Sequence, residues 1–381
     1  MLSNIRVLDV GGWGVGPIAC GVLGAMGADV IRFEPPKLDG LYYVGTLQGG
    51  VGTGYICAHP NARNIIIDLK SDEGRKLGFE LVKTADILIE NHTPQKMYDL
   101  GFGYEEVSKV NPRIIYCSSS GYGREGPQAN DPSNDPLAQI STGFTSIQGA
   151  PGSKGELFRY ITHIDWTTSL IIVEGVLLAL ISREVTGKGQ KVDTSQFEAS
   201  LAMQSTRIAE YFATGVSPQP MGSANPNIVP SQAFKTYDEE YVNVSIPREE
   251  HWVNLCKAIG LNELVNDPRF VTNAERVKNR EQLIPILEGK FSQECAKWWL
   301  ILLRRNGVPC GPYYKVDDII RDPHMQENKM FVELDTPWGK SMYSNFPVEF
   351  SKLPKPINTR ATVKPDANRK EILNEIGYKS N

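Results

Sequence analysis

The feature that most constrains the fold is the regular alternation of short apolar runs with helix-spaced segments over residues 1–120. Ile5–Val10, Asp29–Phe33, Ile65–Asp68, Asp86–Glu90 and Arg113–Ser118 read as strands. Pro17–Met26, Asp72–Lys83 and Tyr104–Val110 read as helices between them. Strands that alternate with helices pair in parallel through helical crossovers, because a parallel neighbour cannot be reached by a tight hairpin. The expected class is therefore α/β with an open sheet.

The pattern changes after residue 120. Residues 121–165 are rich in Gly, Pro, Ser and Asn and show little periodicity, and a stretch of that length is more often functional than idle. Trp166–Glu184 reads as a strong helix ended by Thr186-Gly187-Lys188-Gly189, followed by a strand at Gln190–Thr194 and a long helix over Ser195–Thr214. A Pro/Gly/Asn-rich connection at 215–232 reads as a linker. A hairpin follows at Ala233–Ile246, then helices at His251–Ile259, Arg280–Phe291 and Cys295–Arg305. The tail from Phe331 reads as irregular and strand-poor. A chain of 381 residues exceeds what one core usually serves, so two domains are expected.

Composition excludes several classes. A net charge of −4 leaves no basic footprint for nucleic acid or an anionic membrane. The apolar run Leu170–Ile181 is interrupted by Glu174 and is too short to span a bilayer. The opening Met-Leu-Ser-Asn-Ile-Arg lacks the pattern of a secretory leader. The six cysteines are scattered, with no CxxC and no Cys/His spacing suited to a metal, so they read as reduced thiols in a cytoplasmic protein with no metal.

Four segments carry candidate chemistry. The run Gly11-Gly12-Trp13-Gly14-Val15-Gly16 joins a strand to a helix, where exposed N–H groups favour phosphate. It departs from GxGxxG because Pro17 stands where the third glycine belongs, so a tight structural turn explains it equally well. Asn91-His92-Thr93 follows a strand and should lie at the ligand-binding edge of the sheet, or else form an ordinary βα loop. Glu34 stands where a ribose-binding acid sits in dinucleotide folds. Asp165 stands before the apolar helix; by position it is a helix N-cap first and a carboxylate nucleophile second. GxSxG and P-loop patterns are both missing.

The order of motifs resembles the class III CoA-transferases, the CaiB/BaiF family, formyl-CoA transferase-like. The blocks that carry this likeness are Ile5-Arg6-Val7-Leu8-Asp9, Gly16-Pro17, Gly27-Ala28-Asp29-Val30-Ile31 and Glu34-Pro35. Further along come Asn61 to Leu69, Ala85 to Asn91, Asn111 to Tyr116, Ser120 to Gly123, Thr186 to Asp193 and Val308 to Pro312. Each block is weak alone; their order over nearly the whole chain is specific.

The resemblance implies an open Rossmann-like large domain over 1–214, the linker 215–232, a smaller α/β domain over 233–320, and a tail, 321–381, that returns to the large domain. It implies an interlocked homodimer, with a heteromer of homologous subunits as the alternative. The activity implied is transfer of CoA from an acyl-CoA thioester to a carboxylic acid, with Asp165 as the catalytic nucleophile and a covalent aspartyl intermediate. No tightly bound cofactor is implied; coenzyme A and acyl-CoA are substrates. CoA is expected against Gly14, Val15, Ile67, Asn91, His92, Thr93 and Lys96. Pro35 replaces a basic residue of the family, leaving Lys37, Arg63 or Lys96 to meet the phosphates. Asn134 and Asp135 are expected near the site, and Gly222 or the stretch 221–227 near the oxyanion. The other reaction class considered is the α-methylacyl-CoA racemases, which share the fold but carry a catalytic His where Asn134 stands. Trp13, Trp166, Phe144 and Tyr160 are candidates to line a pocket for a bulky acid.

Overall fold

The computed structural model describes residues 1–37 and 40–378, so the last residues of the expected tail, 379–381, lie outside the described residues. The chain divides into two compact units. The first comprises Met1–Phe144, Leu157–Val216 and Pro323–Asn381, the second Thr145–Glu156 and Ser217–Asp322.

The first unit is built on a six-stranded sheet. In chain order its strands are β1 (Arg6–Asp9), β2 (Asp29–Glu34), β3 (Ala62–Ile66), β4 (Ile87–Glu90), β5 (Ile115–Ser120) and β6 (Gln190–Ser195). Their order across the sheet is β3-β2-β1-β4-β5-β6, and every neighbouring pair is parallel. This is a doubly wound topology, and its ligand crevice forms at the carboxyl edge between β1 and β4, where the winding reverses.

Side-chain alternation explains why the strands read as continuous apolar runs. Leu8, Ile31, Ile65, Leu88 and Tyr116 point to one face, while Val7, Val30, Ile87, Ile115 and Cys117 point to the other. Both faces are covered, so both parities are apolar. The helices that matter for the site are α1 (Val15–Ala25), α2 (Thr53–Ala58), α3 (Asp72–Val82), α4 (Pro94–Asp99), α5 (Tyr104–Val110), α6 (Asp135–Ser141), α7 (His163–Thr186), α8 (Gln196–Met203) and α9 (Ser205–Thr214). Residues of α3 and α5 pack on the first face, together with Ile372 and Leu373 of the C-terminal helix. Residues of α1 and α7 pack on the second.

Several expectations are corrected here. The third strand ends at Ile66, not Asp68, and the long helix after β6 is two helices divided at Gln204. The tail is not strand-poor: Phe331–Thr336 and Gly339–Ser344 form an antiparallel hairpin. The run Leu170–Ile181 belongs to α7, whose 24 residues are long and apolar enough to cross a membrane by length and composition. Its buried face nevertheless carries Asp165, Thr168, Ser169 and Arg183 and packs against α1 and the sheet.

The second unit has a three-stranded antiparallel sheet of Ser231–Lys235, Tyr241–Ser245 and Cys310–Pro312. Phe234 stacks on Phe291 with ring centroids 4.6 Å apart, and Trp252 and Trp299 complete its core. Thr145–Glu156 clusters with this unit, and the Gly222 N–H donates to the Gly149 carbonyl at 2.8 Å.

Candidate active site

The strand β1 ends in the glycine turn, which is clamped by both neighbouring strands. From the end of β4, Asn91 accepts the Gly12 N–H through Oδ1 and donates through Nδ2 to the Trp13 carbonyl, each at 2.7 Å. A Cβ on Gly11 would stand 2.5 Å from that Asn91 oxygen, so only glycine fits. From β2, the buried Arg32 guanidinium is held by Asp9 and Glu34 at 2.8 Å each and donates to the Gly12 carbonyl at 3.2 Å. The turn then enters α1 through Gly14, whose φ of +79° is left-handed. A Cβ there would stand 2.9 Å from Asp165 Oδ2. Glycine at position 14 thus serves both the backbone and the approach of the carboxylate.

Asp165 is not a helix N-cap. The helix α7 starts at His163, which puts Asp165 in its first turn with its side chain only 5% exposed. The capping duty falls to Asp135 at the start of α6, whose Oδ2 accepts the N–H groups of Ile164 and Asp165 at 2.7 and 3.1 Å. Gln196, the first residue of α8, donates to Asp165 Oδ1 at 2.6 Å and accepts from Ser133 Oγ at 3.1 Å. Ser169 Oγ donates to the Val15 carbonyl and to the Asp165 carbonyl, at 2.8 and 2.7 Å, which ties α7 to α1. Burial, and then the Asp135 carboxylate, push the Asp165 carboxyl up to about 7 against the Gln196 hydrogen bond. One oxygen is held by an amide and the other faces Gly14, so the group can be deprotonated near neutrality and yet stays poorly solvated.

A cleft of about 360 Å³ opens along the carboxyl edge of β1, β2, β3 and β4, lined by the turn residues Gly11, Gly12 and Trp13 and by Ile67, His92 and three lysines, Lys37, Lys70 and Lys96. The His92 Nε2–H faces the Val10 carbonyl at 3.1 Å and its Nδ1 faces Lys96 Nζ at 3.3 Å, an assignment of tautomer made from those partners. Burial, and then Lys96, pull His92 down to about 4, so it is neutral.

The expected site residues therefore separate into groups. Ile67, His92 and Lys96 line the cleft, as does Lys37. Gly14 and Val15 stand beside Asp165 rather than in the cleft wall. The Asn91 side chain is wholly engaged in clamping the turn. Thr93 precedes α4 and makes no side-chain cap. Asp135 reaches Asp165, whereas Asn134 is an exposed N-cap that accepts from the Leu137 N–H at 3.1 Å. Arg63 is buried in an ion cluster with Asp29, Glu371 and Glu375, which removes it as a phosphate ligand. The Gly222 N–H is taken by Gly149, so that group is not an oxyanion donor. Glu34 is buried, accepting from Arg32, Tyr55 and Asn64.

The four aromatics do not share a pocket. Trp13 lines the cleft, and Trp166 lines a separate apolar cavity of about 670 Å³ beside Ile18 and Met342. Phe144 packs on His163 at 4.6 Å and Tyr160 is fully exposed. Sequence reasoning missed Gln196, Lys70 and the Arg32 clamp. Gln196 and Lys70 both follow strands of the sheet closely, a position that marks the ligand edge. Among the described residues, no group of three His, Cys, Asp or Glu could hold a metal.

The chain is similar to proteins of known name. The family model CoA-transferase family III matches residues 2–369. Human succinyl-CoA:glutarate CoA-transferase is 32% identical over 358 residues, 92% of this chain and 80% of that protein. Acetyl-CoA:oxalate CoA-transferase of Acetobacter aceti is 33% identical over 337 residues, 88% of this chain and 85% of that one. The crystal structure of a CaiB/BaiF family protein from Brucella suis superposes with a TM-score of 0.87 at 31% identity, covering 98% of this chain and 99% of that one. A doubly wound sheet with a buried carboxylate beside its glycine turn, matched along nearly its whole length, places the chain in CoA-transferase family III.

Proposed function

We propose that this CoA-transferase works through a covalent intermediate on Asp165. The observation that carries the reading is the Asp165 carboxylate itself, with Oδ1 on Gln196 and Oδ2 against Gly14. Oδ2 attacks the carbonyl carbon of an acyl-CoA thioester, CoA leaves as thiolate, and a mixed anhydride forms. The thiolate attacks the aspartyl carbonyl and releases the donor acid. The acceptor carboxylate then attacks the aspartyl-CoA thioester, expelling thiolate and forming a second anhydride. Thiolate attack on its acyl carbon yields the new acyl-CoA and restores Asp165. Division into steps between similar acyl groups lowers each barrier.

The first N–H groups of α1 have no intrahelical partner by construction, and they stand beside Asp165, where they are suited to developing oxyanions. The cleft takes CoA, with Lys37, Lys70 and Lys96 as phosphate partners and Ile67 and His92 as walls. Exposed Asn134, already used as a cap, supports transfer over racemisation.

The finer readings follow from the same family likeness. The two-domain division and the interlocked dimer belong to this proposal. The dimer is supported by the exposed stripe Trp166, Leu170, Leu178, Ile181 and Val185 on α7, a surface suited to burial by a second chain, either identical or homologous. All six cysteines are free, which suits a reducing, cytoplasmic setting. Asp165→Ala tests the proposal. It should abolish CoA transfer while circular dichroism and the melting transition persist; turnover retained by the folded variant would end the Asp165 mechanism.

A further inference from the structure

Asp165 is not placed by α7 alone. Asp135, which begins α6, is buried, and Gln139 stands four residues on, on the same helix face and fully buried. A glutamine amide has two N–H bonds to donate and one carbonyl oxygen to accept with. The Gln139 carbonyl accepts the Phe158 N–H at 3.0 Å. Its Nε2 donates to the Phe158 carbonyl at 2.9 Å and to Asp135 Oδ1. Phe158 thus presents one backbone donor and one backbone acceptor, which admit the amide only one way round. The hydrogen left over faces Asp135.

Asp135 is thereby held at both oxygens. Oδ1 takes the Gln139 amide, and Oδ2 takes the N–H groups of Ile164 and Asp165 at 2.7 and 3.1 Å. Tolerance at the far end is small, because a Cβ on Gly14 would stand only 2.9 Å from Asp165 Oδ2. An Asp135 side chain free to swing would release the first turn of α7 and carry the carboxylate of Asp165 with it. Gln139 itself is not among the described residues that line the cleft proposed for CoA.

We propose that Gln139 is a positioning residue for the nucleophile: it fixes Asp135, which fixes the start of α7 and so seats Asp165 against the glycine turn. This rests on the reading of Asp165 given above.

The test compares kcat and KM for acyl-CoA at pH 8 in the wild type and in folded variants. Gln139→Met keeps the length of the side chain but none of its hydrogen bonds. It should lower kcat about ten- to hundredfold, the scale of an ångström-sized misplacement, while KM for acyl-CoA stays within about twofold. Gln139→Glu still accepts the Phe158 N–H but turns a second carboxylate on Asp135, and kcat should fall as far. Adding Asp135→Asn to Gln139→Glu exchanges donor and acceptor across the link: the asparagine oxygen still accepts the two α7 N–H groups, and its amide donates to the glutamate. This pair should recover most of the kcat lost in Gln139→Glu, and it decides the matter if Gln139→Met does not fold. An unchanged kcat in Gln139→Met or Gln139→Glu overturns the inference, as does a loss matched by an equal rise in KM. A paired variant no faster than Gln139→Glu alone also overturns it. Turnover by Asp165→Ala, or a wild type that transfers CoA to no acid, overturns instead the reading on which the inference rests.

Discussion

Asp135 accepts the backbone N–H groups of both Ile164 and Asp165 through one carboxylate oxygen, at 2.7 and 3.1 Å. One carboxylate thereby caps the long helix so that the other need not. Among the described residues, Asp165 is left with a single side-chain donor, Gln196, and with the repulsion of the anion that caps its helix.

The pair can be separated by charge. Asp135→Asn keeps an acceptor oxygen for the cap but removes the repulsion, which is the second cause, after burial, of the raised Asp165 pKa. The acid limb of kcat/KM, expected near pH 7 in the wild type, should move to lower pH in this variant. A pH–rate profile reads this, and a limb that does not move would contradict the coupling.

Stability should carry the opposite mark of the same raised pKa. The folded carboxyl titrates at about 7 and the ordinary value is 3.8, so the charged form is disfavoured by the fold. That penalty is absent below the ordinary value, grows as pH rises between the two, and is complete above the folded one. Asp165→Asn removes it. The variant should be more stable than the wild type at pH 8, by up to roughly 4 kcal/mol, since each tenfold change in proton affinity is worth about 1.4 kcal/mol, and the gain should shrink toward pH 4. Urea unfolding at pH 5 and pH 8 measures the difference; an equal effect at both would count against the raised carboxyl pKa.

Asn91 is the staple of the glycine turn. Asn91→Ala deletes hydrogen bonds to the Gly12 N–H and the Trp13 carbonyl, and should cost about 2–3 kcal/mol. Because the released turn borders the cleft, KM for acyl-CoA should rise together with the loss of stability. A KM that stays constant would detach the turn from CoA binding.

The basic residues should behave in two ways. Arg63→Met removes one ion partner from Asp29, Glu371 and Glu375, while Arg6 stays paired with Asp29 and Glu375; the partners are partly exposed, so the loss should be about 1–2 kcal/mol of stability, with KM for acyl-CoA unchanged. Lys70→Ala and Lys96→Ala should each raise KM about two- to fivefold, less at high salt, with little change in stability. Titration of KM against ionic strength for the three variants distinguishes a structural arginine from phosphate-binding lysines.

The sheet was legible because parallel strands buried on both faces announce themselves as apolar runs. Tyr104–Val110 and Arg280–Phe291 match their expected bounds. The tail hairpin was missed although Val332, Leu334 and Thr336 alternate with Glu333 and Asp335 ahead of a Pro-Trp-Gly turn; the surrounding prolines masked a short signal. The setting of Asp165 was legible only in part. Its cap is supplied by a residue 30 positions away, its hydrogen-bond donor by one 31 positions on, and no local pattern encodes either contact. Arg63 misled for the same reason: its partners Glu371 and Glu375 lie 308 and 312 positions along the chain, beyond any local reading.

The most direct measurement is covalent capture. The enzyme is incubated with an acyl-CoA and then with hydroxylamine or borohydride, and the modified peptide is mapped by mass spectrometry. The account predicts a hydroxamate or a reduced side chain at Asp165, missing in Asp165→Ala. Modification at any other residue, or turnover without modification, would contradict it.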